Sequence, residues 1–325
     1  MHCARAMEIM RLFATTLSIV VPSTQLSFVS SFILQPQQHQ HARFALNELP
    51  MHDVDGVLCR EVSIDVDVLG PITILEATAE SQEVLVDAAL ALDDDNDDAA
   101  SADDDGGPNI TLEKGDPYGS VLWPAASAVA NHLMSTGAAE DNKDMGQQTL
   151  LELGTGTGLV SLAAARAGYK VIATDYETVP LKLLEYCAAN LNGEDDLNMR
   201  IQTAKLDICD DTTPLPDADI VCAADIMYEP KTGRATAHRT VEALKRGSRV
   251  VIGCSPGRPG RPAFLEELNL LLPGIDAEFV DAEGTTCSGP RHELICGEGS
   301  TSISEKPKML LVAIMDLEPS VITQD

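Results

Sequence analysis

Basic residues are scarce in this sequence: 22 Lys and Arg stand against 51 Asp and Glu, for a net charge of −29. Binding to a phosphate backbone needs Lys and Arg to neutralise it, so this balance excludes a nucleic-acid partner and favours a basic one. Aromatic residues are also few, 4% of the chain, with a single tryptophan, Trp123. The eight cysteines form no CxxC pair and have mostly apolar neighbours, which argues against a zinc or disulfide framework. Cys287 and Cys296 bracket a short loop and would bridge only in an oxidising compartment. The seven histidines share no motif, and neither a Ser-His-Asp set nor a metal-ligand cluster is visible. Long apolar runs are missing too. Leu12–Val21 is ten residues long, against about twenty for a spanning helix, so no stable membrane span is read.

What is present suffices for a packed core, since 44% of residues are hydrophobic and 22% charged. The charge is unevenly placed. Residues 1–50 carry a net +1, and with Arg5 and Arg11 ahead of the apolar run they read as a targeting or disordered leader. Residues 51–92 read as a β-rich addition: Val62, Ile64, Val66 and Val68 alternate with polar residues, Gly70-Pro71 interrupts, and Ile72 and Ile74 resume the alternation. The pattern predicts two short strands, and SQEVLVDAALAL predicts a helix over 81–92. Residues 93–110 hold eight aspartates within 93–105 and end in Gly106-Gly107-Pro108, the composition of a solvated insert.

Residues 111–320 form the main domain. Pro124 suits the first turn of a helix carrying Ala125, Val129 and Leu133. Strands are predicted at 149–153, 169–174, 200–206, 218–224 and 249–254, with helices at 158–167, 178–191 and 231–246 between them. A helix at 263–272 and strands at 276–280 and 308–317 complete the series. Such regular alternation calls for right-handed crossovers and a mostly parallel sheet with helices on both faces. The predicted class is therefore α/β, with a Rossmann-like seven-stranded sheet and a short N-terminal β-rich addition.

The chemistry centres on LLELGTGTGL, a strand ending in Glu152 followed by Gly154, Thr155, Gly156 and Gly158. A dinucleotide fingerprint needs GxGxxG, and Leu159 stands where its third glycine belongs, which disfavours NAD. The E/DxGxGxG form resembles motif I of class I S-adenosylmethionine-dependent methyltransferases. That resemblance implies that Asp175, ending the second strand, accepts the ribose hydroxyls. It further implies that Asp207, ending the third, accepts the adenine amine, that Ile208 covers the ring, and that Ala224 leaves room beside the cofactor.

GxxxWPAA (Gly119–Ala126), the glycine motif and AAD-x-x-Y together resemble methyltransferase family 16, the seven-β-strand protein-lysine methyltransferases. DIMYEP and RVVIGCSPGRPGR are similar to the branch acting on the electron-transfer flavoprotein β subunit. Carried over by position, the family pattern makes Trp123 a wall of the cofactor site and Glu152, Gly154, Gly156 and Asp175 its cradle. Asp225 and Tyr228 become the substrate motif, with Asp225 orienting the acceptor amine and Tyr228 lining its channel. The implied function is methyl transfer from S-adenosylmethionine to an accessible lysine of a protein substrate by a monomer. Methylation of arginine, histidine or a small amine, and a binding module without transfer, are the alternatives.

Overall fold

The computed structural model describes residues 50–85, 117–139, 145–193, 197–286 and 308–322. The aspartate run, the leader and the Cys287–Cys296 loop lie outside the described residues. Three strands come first, β1 (Met51–Val54), β2 (Val57–Val66) and β3 (Gly70–Ala77), in an antiparallel sheet of order β1-β2-β3. β2 and β3 are the strands expected from the alternation. β1 was not expected, because MHDV is too short to show a period. Val68 also departs from expectation: the alternation points it inward, but it sits in the connecting turn at φ 63, 79% exposed. Residues 79–85 are helical, two residues ahead of the predicted start.

The main sheet has seven strands: β4 (Thr149–Leu153), β5 (Lys170–Asp175), β6 (Ile201–Lys205), β7 (Ile220–Ala224), β8 (Arg249–Cys254), β9 (Val280–Thr286) and β10 (Lys308–Leu317). Their order is β6-β5-β4-β7-β8-β10-β9, parallel from β6 to β8, with β10 antiparallel to both neighbours. The helices are α1 (Pro124–Ala139), α2 (Leu159–Ala167), α3 (Thr178–Asn190), the single turn α4 (Leu197–Arg200), α5 (Pro230–Lys245) and α6 (Gly260–Leu271). This is the Rossmann-like arrangement of class I methyltransferases.

Alternation along each central strand feeds two cores. Leu150, Ile220, Cys222 and Val251 point to one face, under α1, α2 and α3, while Leu151, Leu153, Val221, Ala223, Val250 and Ile252 point to the other, under α5 and α6. A strand covered on both sides reads as an almost unbroken apolar run, as TLLEL and RVVIGC do. α5 and α6 meet at backbone distance: a Cβ on Gly233 would lie 2.1 Å from the Gly260 carbonyl oxygen.

The N-terminal sheet is built into the body. Ile64, Ile72 and Ile74 share the first core with Leu133, Leu162 and Leu183. Asn192, just beyond α3, accepts from the Thr73 amide at 3.0 Å and donates to the Thr73 carbonyl at 2.9 Å. Buried Glu76 pairs with Arg60 at 2.7 Å and accepts the Leu122 amide at 3.1 Å, which ties β3 to the segment leading into Trp123.

One strand is displaced from expectation. The stretch DAEFV predicts a strand over 276–280, whereas β9 starts at Val280 and runs on to Thr286. β10 sets that register by pairing Ile314 with Val280 and Lys308 with Thr286. Phe279 instead packs edge-on against Phe264 of α6, with centroids 6.0 Å apart, under the Arg261 guanidinium.

Candidate active site

Strand order reverses at β4, whose neighbours are β5 and β7, and ligands of open α/β sheets bind at the carboxyl edge of such a switch point. The loop leaving β4 is left-handed at alternate residues: Gly154, Gly156 and Gly158 have φ of 69, 52 and 81. Only glycine adopts these values without strain. A Cβ on Gly154 would also stand 2.6 Å from Ile226 Cγ2, so the loop after β7 closes directly onto it. At Gly156 the nearest atom to such a Cβ is the Gly119 carbonyl oxygen at 3.5 Å, leaving an open backbone cradle.

Glu152 lies beneath this loop, 1% exposed. One of its oxygens accepts from Thr155 Oγ1 at 2.9 Å, from the Ser161 amide at 3.1 Å and from the Ser161 hydroxyl. Burial pushes its carboxyl up to about 7, against the lowering effect of those bonds, with a further upward push from the Asp175 charge. Glu152 and the buried Thr155 therefore hold the loop from below.

Asp175 ends β5, almost fully buried, and accepts from the Gly156 amide at 3.2 Å and the Glu177 amide at 3.1 Å. Asp207 follows β6 on the surface and accepts the Cys209 amide at 2.8 Å. Ile208 beside it is half-buried against the second core. The loop that carries these two residues is anchored from α5. Arg239, 3% exposed, donates to the carbonyls of Ile208 at 3.2 Å, Thr213 at 2.9 Å and Asp210, and pairs with Glu242 at 2.8 Å.

On the β7 side, Ala224 is half-buried and Asp225 adopts φ 61, rare for a non-glycine residue and a mark of local strain. The cause is visible in its partners. Its carboxylate accepts the Ala125 amide at 3.1 Å, the Ser255 amide and hydroxyl at 2.7 Å each, and Arg258 Nε at 3.1 Å. The same Arg258 guanidinium lies 4.3 Å from the centroid of Trp123. Trp123 is half-buried and held by its Nε1–H on the Tyr118 carbonyl at 3.0 Å. Tyr228 stands at the rim, 42% exposed. Glu229, next to it, forms a capping box with Thr232 at the start of α5.

The fold thus gathers Trp123, Gly154, Gly156, Asp175, Asp225 and Tyr228 at one edge of the sheet, with Asp207 and Ile208 on the neighbouring loop. Sequence reasoning gave Asp225 the task of orienting an amine. Its carboxylate instead already accepts four hydrogen bonds from its own chain, about the capacity of the group. Those bonds join the start of α1 to the turn after β8. Sequence reasoning missed Arg258, Ser255 and Arg239. Ser255 and Arg258 meet Asp225 from thirty residues or more away in the chain, and nothing local to residue 239 marks it as an anchor for the loop after β6.

The donor set suits a ligand with hydroxyls and amines: Asp175 ends β5, Asp207 follows β6, a backbone cradle lies beside Asp175, and the Trp123 indole lies over Arg258 at the same edge. Carboxylates accept hydrogens from such groups and repel phosphates. Fold and site together have the form of the class I S-adenosylmethionine-dependent methyltransferases. The family described as lysine methyltransferase, methyltransferase family 16, matches residues 104–269, half of the sequence, and the chain belongs to it. Its relatives include the histone-arginine methyltransferase METTL23 of Xenopus laevis, 30% identical over 35% of this chain and 47% of that protein. They also include the protein N-lysine methyltransferase METTL21A of Danio rerio, 33% identical over 46% of this chain and 66% of that one. The chain spans about half to two-thirds of the length of these relatives. Among solved structures, a TehB-like SAM-dependent methyltransferase from Corynebacterium glutamicum aligns over 57% of this chain and 94% of its own, at 16% identity and a TM-score of 0.33. The electron-transfer-flavoprotein branch stays an expectation of the sequence.

Proposed function

We propose that the protein transfers a methyl group to the ε-amine of a lysine in a protein substrate. S-adenosylmethionine, when bound, supplies an activated methyl on a sulfonium. Trp123, Gly154, Gly156, Asp175, Asp207, Ile208 and Ala224 would hold it, with Glu152 and Thr155 fixing the loop beneath. Because transfer to an amine is an in-line displacement, the chain's contribution is alignment and exclusion of water rather than a strong base. The acceptor must be neutral, and deprotonating a free lysine at pH 7 costs about 4.6 kcal/mol, from about 3.4 pKa units. Desolvation in a narrow channel offsets part of that cost. Tyr228, exposed at the rim, would line the approach.

One observation carries the preference for lysine. A guanidinium substrate is best held by a carboxylate fork accepting two parallel N–H bonds. Asp225 is already paired with Arg258, and Glu229 is engaged in its capping box, so both acids of the DIMYEP turn have partners within the chain. An amine with its few donors makes no such demand. Arginine is the second reading, favoured by the similarity to METTL23.

The test is incubation of the purified protein with labelled S-adenosylmethionine and a cell extract, followed by separation of the proteins. Labelled protein with wild type and none with Gly154→Arg is the expected result. Label confined to small molecules, or no cofactor binding by calorimetry, would contradict the reading.

A further inference from the structure

We infer that Arg258 is a positioning residue that keeps the acceptor amine neutral by cancelling the charge of Asp225. The inference rests on the lysine reading above. A lone carboxylate at the end of β7 would favour the ammonium form of an approaching lysine, which has no lone pair with which to attack. Under that reading a strained, buried acid at this position works against transfer unless its charge is compensated. Arg258 compensates it at 3.1 Å, with the two side chains 8% and 1% exposed. A guanidinium carries a permanent positive charge, which stands directly against the carboxylate.

The planar guanidinium also stacks on Trp123, linking the indole wall to the substrate motif through one side chain. Lysine has a point charge and no plane, and would keep the compensation while weakening the stack. Other ionisable groups that face the pair leave this logic intact. Cys254, on β8, is pushed up to about 12, first by burial and then by the Asp225 charge, with Arg261 and Arg258 acting in the opposite direction. It stays a thiol throughout. Arg261, on α6, is a second permanent cation and stacks on Phe279 at 4.3 Å.

The experiment measures methyl-lysine formed in extract protein from labelled S-adenosylmethionine, between about pH 6.5 and pH 10, for four proteins. These are wild type, Arg258→Met, Arg258→Lys and the double variant Asp225→Asn/Arg258→Met. The acid limb of the rate profile should move to higher pH by about one unit or more in Arg258→Met, where the carboxylate is uncompensated. It should stay near the wild-type position in Arg258→Lys and return there in the double variant, where neither charge remains. Trp123, as the sole tryptophan, reports the stack by its fluorescence, which should change in both single variants while far-UV circular dichroism does not. An unmoved limb in Arg258→Met, or loss of activity at every pH in all three variants, overturns the inference. Wild-type label on arginine without lysine would instead show that the lysine reading itself has failed, and the inference with it.

Discussion

Gly154 is the residue on which the site turns, because its left-handed φ and its contact with Ile226 are required together. Gly154→Ala should destabilise the protein by about 1–3 kcal/mol in urea unfolding and weaken S-adenosylmethionine binding in calorimetry. Unchanged values for both would mean that the loop tolerates a side chain. Glu152 gives a pH signature. Its folded carboxyl titrates near 7 against 4.5 for the ordinary group, so the folded state holds the proton more tightly than the unfolded chain. Stability from this group is present below the unfolded value, declines as pH rises through the window from 4.5 to about 7, and is flat above it. Glu152→Gln should remove that decline, on the order of 3 kcal/mol, in melts compared at pH 5 and pH 8. A parallel pH dependence in both proteins would contradict the assignment. Of these residues the glycines and terminal acids were legible, since each must occupy a fixed place after a strand. Arg258 was not, because it meets Asp225 thirty-three residues away through a contact that no local pattern encodes.

At the level of elements, the loop after β6 depends on α5. Arg239 joins three carbonyls of that loop and Glu242 from a nearly buried position. Arg239→Ala should cost about 2–4 kcal/mol of stability through unpaired carbonyls and a broken buried pair, and raise hydrogen exchange in residues 208–213 above that of β4. Uniform exchange in the two segments would show that the loop holds itself. The repeating strands and helices from 149 to 254 could be read from sequence because β4, β7 and β8, covered on both faces, are almost unbroken apolar runs. β9 could not be placed as well, since its register is set by its antiparallel pairing with β10 and Phe279 packs on a helix instead. β2 and β3 were visible, but their fusion with the first core of the main sheet was not. It depends on Asn192 and Glu76, polar residues whose partners are distant in sequence.

For the whole molecule, the excess of acid bears on the substrate. Residues 51–325 carry −30, a charge that would favour a basic acceptor under the proposed function by long-range attraction. That attraction is screened beyond about 8 Å at physiological salt and beyond about 3 Å near 1 M. Raising salt should therefore raise KM for a basic acceptor while leaving kcat nearly constant, and a salt-independent KM would remove surface charge from the account. Among the described residues, no helix is long and apolar enough to cross a membrane. The most direct test of the central claim is the identity of the methylated side chain. Acceptor protein labelled from S-adenosylmethionine should be digested and its modified residues located by tandem mass spectrometry. Methyl groups on lysine Nζ, absent when Gly154→Arg replaces wild type, are the predicted result. Methyl groups on arginine alone would contradict the claim.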